Sequence, residues 1–485
     1  MAGIGVTLNK IFEKNSIFTS VIGFFYSAAI TAAPMFLVIA DILLMGQVLG
    51  LSKSGYVDRE LFSCTILYIF IFALLTASPF NTVLSRYMSD VIYEEHYDDI
   101  LPCFYVGLIL NLLLACVLGI PFCVHEYLAG GVNLLYVFVG YCGYVSLLLV
   151  FYAMLYLSIC KDYARISLFF LTGMVSSFFL SCFLVKIRSW EVTWAMLVSL
   201  VAGFFLIACL ELATVKQYFK TNSCRYRRVL GYFGSCWKLM ATNFFYTLGL
   251  YIHNFVFWTT DLRITVADSF ICAEPYDMAT CLAMFTNLSA TVIFIARVEM
   301  HFHERYRAYS EAVIGGRGMD IDSARRRMFR QISVELMNLV RIQFIISVVI
   351  FLGCMIFLPQ LGFSGMVLRI YPCLAAGYFV LFIMYSAIIF LYYFNDMTGA
   401  MLTAAGFCLV TFAVSIVATY LSEYWYGIGV VAGAFTGWTI AYGRLRWVER
   451  HMDAHVFCRG SIMKKGKGKR PSGLVFDARS ASAKQ

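Results

Sequence analysis

The chain has 485 residues, of which 61% are hydrophobic and 13% charged, and its formal net charge is +9. Soluble domains have about 45–50% apolar and about 25% charged residues, so the composition excludes a soluble fold and a disordered chain. Most of the 16 cysteines lie in apolar runs, and we expect no structural disulfide. The composition predicts an all-α, polytopic membrane protein.

Twelve apolar segments are long enough to cross a hydrocarbon core about 30 Å thick, which needs roughly 20 residues of helix. The seventh segment is the weakest, because Lys238, Asn243, His253 and Asn254 interrupt it. We expect spans at about 22–46, 61–83, 101–124, 132–157, 164–185, 192–213, 237–258, 276–296, 339–358, 372–394, 398–421 and 425–443.

The basic residues are distributed unevenly between the two sides of the membrane. Of the 37 Lys and Arg residues, 29 fall on the N-terminus, the even-numbered loops and the C-terminal segment, and 6 on the odd-numbered loops. Because Lys and Arg concentrate on the cytoplasmic side, this asymmetry predicts that both termini are cytoplasmic.

A polar, basic stretch divides the spans into two groups of six, as in transporters built from two bundles. We therefore expect an N-terminal six-helix bundle over 1–213, a cytoplasmic linker over 214–236, a C-terminal six-helix bundle over 237–443, and a basic cytoplasmic tail over 444–485.

The long cytoplasmic loop 297–338 has apolar residues at helical spacing on both sides of the GGRG sequence at 315–318. This pattern predicts a helical hairpin in the cytosol. Such a hairpin either lies against the membrane or a partner, or is a solvated connector. The Lys- and Gly-rich segment 459–485 either holds anionic lipid or only follows the positive-inside bias.

Ionisable side chains inside a span are costly and therefore suggest function. Asp41 follows Pro34 by seven residues in the outer half of the first span. It either binds a proton or cation beside a helix break, or is an interfacial carboxylate. If the first and seventh spans are equivalent, Asp41 and the pair His253 and Asn254 would face one cavity from opposite sides. The alternative is helix-to-helix hydrogen bonding with Trp258 as an interfacial anchor.

Other polar and aromatic residues in the spans complete the candidate substrate or coupling path. For the amides Asn111 and Asn287, internal packing bonds are favoured. Tyrosine and tryptophan side chains combine an apolar face with a polar tip, so they suit stacking on sugar rings as well as core packing. The full candidate set is Asp41, Asn111, Asn243, Tyr246, Tyr251, His253, Asn254, Trp258 and Asn287.

Charged residues at the inner ends of two spans are candidates for a cytoplasmic gate. Arg86, Asp90 and Tyr93 share one helical face, where the first two are spaced as an ion pair. Arg297 and Glu299 close the eighth span. These residues either gate the cytoplasmic mouth or anchor helix ends.

Signatures of soluble enzymes are nearly absent. Asp320 and Asp322 form a DxD sequence that N-capping of the following helix explains better than catalysis. His301 and His303 do not share a helical face, so they are not expected to hold a metal. No Walker A sequence is present. We predict a protein that is not an enzyme and needs no cofactor or metal; an ion gradient, a partner or polymer synthesis would supply the energy.

Several stretches resemble the PelG family of exopolysaccharide transporters, within the multidrug/oligosaccharidyl-lipid/polysaccharide flippase superfamily. They are the opening MAGIG, the TAAP segment ending at Pro34, RYMSDVIYEEHYDDILP at 86–102, YTLGLYIHNFVFW at 246–258, the segment 276–306, YYFNDMTGA at 392–400 and YGIG at 426–429. His253 and Asn254 stand where many members are expected to have Asp and Lys.

The resemblance implies export of Pel, a cationic amino-sugar polysaccharide of biofilms, across the cytoplasmic membrane. It also implies a PelF-like glycosyltransferase and PelD- and PelE-like membrane proteins as partners, with hairpin 297–338 as a docking surface. Alternatives are a cation-coupled exporter or lipid-linked oligosaccharide flippase of the same superfamily, a membrane glycosyltransferase, and a non-transporting membrane assembly subunit.

Overall fold

The structure, a computed structural model, describes residues 17–160, 162–266, 269–293, 299–361 and 365–452. Of residues 17–32, 288–293, 299–305 and 314 it describes the backbone alone. Within these ranges the chain forms fourteen α-helices and one two-stranded β-hairpin. The mainly helical fold predicted from the composition is confirmed, whereas the β-hairpin was not predicted.

Helices of the first half are joined by short turns. They are α1 (Ile17–Leu49), α2 (Tyr56–Tyr93), α3 (Ile100–Ala129), α4 (Leu134–Ile159), α5 (Tyr163–Lys186) and α6 (Val192–Tyr218), followed by a short helix α7 (Tyr226–Ser235).

The second half contains longer connections. It comprises α8 (Trp237–Phe257), the antiparallel strands β1 (Ile264–Val266) and β2 (Phe270–Cys272), α9 (Glu274–Ile293), α10 (Glu299–Gly315), α11 (Gly318–Phe357), α12 (Gly365–Tyr393), α13 (Met397–Ala418) and α14 (Ile428–Arg450).

Eight helices in the described ranges are long and apolar enough to cross a membrane, so the chain is a multi-pass membrane protein. They are α2, α3 with the turn before it, α4, α5, α6, α11, α12 and α13. The other four predicted spans coincide with α1, α8, α9 and α14. Polar residues such as Lys238, Asn243 and His253 interrupt the apolar sequence of α8, which is not among the eight.

In the first half, α6 packs between α4 and α5, α2 packs on α4, and α1 packs on α5. Large aromatic side chains such as Tyr152, Tyr156 and Phe204 are fully buried between these helices. A Cβ atom added to Gly203 of α6 would lie 3.0 Å from the carbonyl oxygen of Gly173 of α5. The two backbones approach closely because neither residue carries a side chain.

In the second half, α13 packs against α8 and α14, and α12 packs against α14. Gly429 and Gly433 of α14 recur one turn apart and face Ser415 and Thr411 of α13. An added Cβ at either glycine would collide with these side chains, so small residues set the spacing of α13 and α14.

Helices α10 and α11 pack side by side, with the chain turning at 316–317. Helix α11 has 40 residues and is therefore about 60 Å long, twice the thickness of a bilayer core. Its first turns carry Met328, Phe329 and Ile332 into a separate core with Phe394 and Val448. This core holds the pair of helices against the ends of α12 and α14.

The two halves meet mainly where α2 contacts α8 and α1 contacts α9. The rings of Phe72 (α2) and Phe255 (α8) are stacked with centroids 6.1 Å apart. Those of Phe36 (α1) and Phe285 (α9) are stacked at 5.9 Å. These four rings identify the helix faces that line the contact between the halves.

Candidate functional site

Asp41 does not face the contact between the halves. It follows Phe36 by five residues, which places it about 140° further around α1, because each residue of an α-helix turns by about 100°. Phe36 points to α9, and the carboxyl group of Asp41 lies against Ser177 of α5. Asp41 is 5% exposed, and within the described part of the chain its Oδ2 atom has no hydrogen-bond partner.

His253 is fully buried inside the second half. Its Nδ1 atom is 2.9 Å from the hydroxyl oxygen of Tyr276 (α9), and its Nε2 atom is 3.4 Å from that of Tyr378 (α12). His253 lies about 200° around α8 from Phe255, which faces α2. The expectation that Asp41 and His253 face one cavity from opposite sides is therefore wrong, because helix rotation turns both side chains into their own halves.

Asn254 and Trp258 share a buried acceptor, Asp277, in the first turn of α9. The Asn254 side chain donates to Asp277 over 2.7 Å, and the indole N–H of Trp258 donates to both carboxylate oxygens at 3.1 Å. The backbone N–H of Ala273 donates to the same carboxylate over 3.0 Å. Asp277 therefore joins the end of α8, the β-hairpin and the start of α9.

Trp258 also contributes to the surface between the halves. Its indole is stacked on the ring of Tyr68 (α2), with centroids 5.1 Å apart. Tyr246 instead stacks on Tyr385 of α12 at 4.9 Å, within the second half. Tyr251 is buried and 8% exposed. Among the candidate aromatic residues in the described part of the chain, Trp258 is thus the one whose ring contacts a ring of the first half.

The other three candidate amides have different surroundings. Asn111 (α3) is fully buried and donates to the Gly107 carbonyl of its own helix over 2.8 Å, which agrees with a packing role. Asn243 donates from α8 to the Ser78 carbonyl of α2 and so links the halves. Asn287 (α9) accepts hydrogen bonds from two side chains of α11, as described next.

A polar cluster lies between α9, α11 and α12. Gln343 and Ser347 donate to the Asn287 side-chain oxygen over 3.4 and 3.1 Å. The hydroxyl groups of Thr286 and Tyr371 are 2.7 Å apart. These contacts hold α11, which otherwise exposes most of its apolar surface, against the rest of the second half.

The expected ion pair between Arg86 and Asp90 does not form. Arg86 extends to the turn between α12 and α13, where it donates to Asn395 over 3.0 Å. Asp90 accepts a hydrogen bond from Tyr232 of α7 over 2.6 Å. Each side chain has a closer partner on another element, so the spacing along α2 did not determine the pairing. Arg297 and the side chain of Glu299 lie outside the described residues.

The helix α7 is attached by charge to the end of α2 and the start of α3. Arg228 donates to Asp99 and to Glu94, both over 2.9 Å. Its hydrogen bond to Glu94 raises the pKa of the guanidinium group, which stays protonated. Asp99 is 1% exposed and also accepts from Ser223. The linker is thus a folded element with defined contacts to the first half.

A positively charged cavity of about 280 Å³ lies where the first turns of α11 meet the end of α14. Its lining residues are Arg325, Arg326, Phe329, Arg446, Glu449 and Arg450. For metal binding, the described residues contain no group of three or more His, Cys, Asp and Glu side chains in suitable positions.

Several buried polar residues were not singled out from the sequence, and three of them lie within or at the edge of predicted spans. Asp277 lies at the edge of a predicted span, where a carboxylate is ordinary. Gln343 lies within another span, and only its contact with Asn287 reveals its role. Glu211 lies within the sixth predicted span, and a carboxylate inside a span could have been recognised from the sequence. It is fully buried, and in the described part of the chain neither of its carboxyl oxygens has a hydrogen-bond partner.

The family model of PelG, described as "Putative exopolysaccharide Exporter (EPS-E)", matches residues 1–457. The chain belongs to the PelG family. No curated protein matches the chain in sequence.

Solved transporters of the MATE family in the MOP superfamily have a similar fold. The match to an outward-facing structure has a TM-score of 0.54 and 15% identity, and covers 88% of this chain and 96% of the other. An inward-facing structure matches with a TM-score of 0.57 and 10% identity, covering 87% and 96%. A MOP-superfamily transporter from Pyrococcus furiosus matches with a TM-score of 0.51 and 13% identity, covering 89% and 96%. The fold and the family are those of a transporter, not of an enzyme.

Proposed function

We propose that this PelG-family chain carries Pel exopolysaccharide across the cytoplasmic membrane as the polymer is synthesised. The observation that supports this most strongly is the family match over residues 1–457, on a fold shared with MATE transporters. The cationic polymer and the coupling to synthesis are what the family resemblance implies for this chain.

The proposal includes twelve membrane crossings in two six-helix bundles, with both termini in the cytoplasm of the inner membrane. It is supported by the coincidence of α1, α8, α9 and α14 with the four remaining apolar segments. A fluorescent protein fused after residue 485 should fluoresce, because it folds in the cytoplasm. An alkaline phosphatase inserted at residue 189 should be active outside; the opposite pattern would refute the orientation.

We place the polymer path at the contact between the halves, along α1, α2, α8 and α9. Aromatic rings from both halves meet there, including Tyr68 with Trp258 and Phe72 with Phe255. Such rings present flat apolar faces on which sugars stack. The Trp258 N–H is fixed by Asp277, so its ring is held in one orientation.

Asp41 is proposed as a coupling site rather than as part of this path. It is a buried carboxyl group with one unpartnered oxygen among the described residues, on the side of α1 that packs on α5. A buried carboxyl group in a membrane suits binding of a proton or a small cation. This observation favours the second candidate function, a cation-coupled exporter or lipid-linked oligosaccharide flippase of the same superfamily.

The hairpin of α10 and α11 is proposed as the docking surface for a PelF-like glycosyltransferase and PelD- or PelE-like membrane proteins. The arginine-lined cavity between the first turns of α11 and the end of α14 offers positive charge to an acidic surface of such a partner. Charge reversal of Arg326 and Arg450 should reduce co-purification of the partners while leaving the amount of this protein in the membrane unchanged.

Polymer distribution in a deletion strain tests the proposed function. Cells complemented with the wild-type chain should release polymer, whereas cells with the empty vector should retain it inside. A non-transporting assembly subunit would give a different result, because without it the partners would be lost from the membrane and no polymer would be made. Immunoblots of the partners separate these outcomes.

A further inference from the structure

Two buried cysteines from different halves of the chain lie next to each other at the end of the molecule that carries the β-hairpin. The Sγ atoms of Cys64 (α2) and Cys272 (β2) are 2.6 Å apart. Cys64 is 1% exposed and Cys272 4% exposed. The two residues are 208 positions apart in the sequence, so only the fold brings them together.

The position of the hairpin is fixed independently of the sulfur atoms. The hydroxyl group of Tyr68, one turn after Cys64 on α2, donates to the Ile271 carbonyl over 2.5 Å. The same hydroxyl group accepts a hydrogen bond from the Ile271 N–H over 3.0 Å. The N–H and the carbonyl group of Ile271, the residue before Cys272, are therefore both bonded to α2, the helix that carries Cys64. The position of Cys272 next to Cys64 thus rests on more than the contact between the two sulfur atoms.

A second contact holds the other end of the hairpin turn. Ser269 donates to Glu126 of α3, which is 1% exposed. The ring of Phe270 packs against that of Tyr68 with centroids 5.6 Å apart. The hairpin, which belongs to the second half, is thus seated on α2 and α3 of the first half.

We propose that Cys64 and Cys272 form a reversible disulfide that latches this end of the contact between the halves. A disulfide bond is about 2.05 Å long, so a sulfur displacement of about 0.5 Å closes it. In the proposed orientation this end faces the outside, where thiols are oxidised. The regulatory part of this inference rests on the proposed transport function; the bond itself does not.

The oxidation balances with a protein disulfide of a thiol oxidase outside the cytoplasm as the oxidant. The Cys272 thiolate attacks the oxidase disulfide and releases one oxidase thiol. The Cys64 thiolate then attacks the mixed disulfide, forms the Cys64–Cys272 bond and releases the second oxidase thiol. Both electrons pass to the oxidase, whose two sulfurs also receive the two protons.

Burial determines when the bond can change. Because both sulfurs are almost fully buried, an oxidant or reductant reaches them only when the hairpin separates from α2. Separation of these elements is also what opening of this end requires. Opening of the thiol form exposes Cys272 to the oxidase, and the Cys64–Cys272 bond forms when the hairpin returns to α2. The disulfide form is limited to small displacements of the hairpin, which admit a small reductant.

Peptide mapping of the full-length protein tests the bond. Cells are lysed in denaturant with N-ethylmaleimide, and unreduced digests are searched by mass spectrometry for a peptide containing both Cys64 and Cys272. We expect this cross-linked peptide, with a larger amount after copper–phenanthroline treatment of the cells. Its absence under both conditions would overturn the proposal. Tyr68→Phe should lower the cross-linked fraction, because Ile271 loses its clamp.

Polymer release by the same cells tests the latch. In wild-type cells, export should fall in proportion to the cross-linked fraction and recover after treatment with an impermeant phosphine reductant. In cells with Cys64→Ala, oxidant should leave export unchanged. Cys209→Ser, at an exposed position of α6, is the matched control and should behave as wild type. Equal export in oxidised and reduced cells would overturn the latch. If no polymer is exported in any state, the proposed function fails, whereas the peptide map still decides whether the bond exists.

Discussion

Replacing Asp277 with alanine should destabilise the protein through three buried donors at once. The carboxylate accepts from Asn254 at 2.7 Å, from Trp258 at 3.1 Å and from the backbone of Ala273 at 3.0 Å. A buried donor that loses its acceptor costs about 1–3 kcal/mol in soluble proteins. In membrane proteins, side-chain hydrogen bonds average about 0.6 kcal/mol. For three donors the expected loss is therefore roughly 2 to 9 kcal/mol.

Thermal aggregation of detergent-solubilised protein, followed by fluorescence-detected size exclusion, measures this loss. Asp277→Ala should melt several degrees below wild type, and Asp277→Asn should lie between them because it keeps one acceptor oxygen. Asp261→Ala is the matched control, because Asp261 is an exposed carboxylate in the connection between α8 and α9. Identical melting of Asp277→Ala and Asp261→Ala would refute the hydrogen-bond argument.

A double-mutant cycle separates the Trp258 contact from the others. Trp258→Phe removes the indole N–H that donates to Asp277. It should cost less stability in the Asp277→Ala background than in the wild type, because the acceptor is already missing. Equal costs in both backgrounds would show that the two side chains are not coupled.

Three further predictions concern Asp41, Arg86 and Asp99. Asp41→Asn should reduce export at normal protein levels, measured as polymer outside the cell; unchanged export would make Asp41 a packing residue. Arg86→Ala and Asn395→Ala should each lower the free energy of unfolding by less than about 1 kcal/mol, because the hydrogen bond between the two side chains is exposed. The double variant should lose no more stability than the less stable of the two single variants. Asp99→Ala should release Arg228 and speed tryptic cleavage in the linker; unchanged cleavage would mean that the ion pairs do not hold α7.

The sequence was sufficient to predict where the helices are, because apolar length is a local property. Each of the twelve predicted segments overlaps one helix of the structure, and several run one to three residues past its ends. Residues 294–296 of the eighth segment lie outside the described residues. The resemblance to the PelG family is confirmed by the match over residues 1–457.

The sequence was not sufficient to predict which way the helices face. Asp41 and His253 each point away from a phenylalanine that marks the contact between the halves. A rotation of less than half a turn would have brought them toward that contact, and hydropathy does not determine helix rotation. Arg86 shows the same limit, since its partner Asn395 is 309 residues away. Such long-range pairings depend on the assembled bundle.

Inverted membrane vesicles measure polymer transport by this chain without the rest of the cell. Vesicles containing the chain and its polymer-making partners are supplied with labelled nucleotide sugar, and a glycoside hydrolase is then added outside. If the chain exports the polymer, labelled polymer accumulates in the lumen and is protected from the hydrolase. Polymer that is made in equal amount but stays fully digestible, with or without this chain, would contradict its role as an exopolysaccharide exporter.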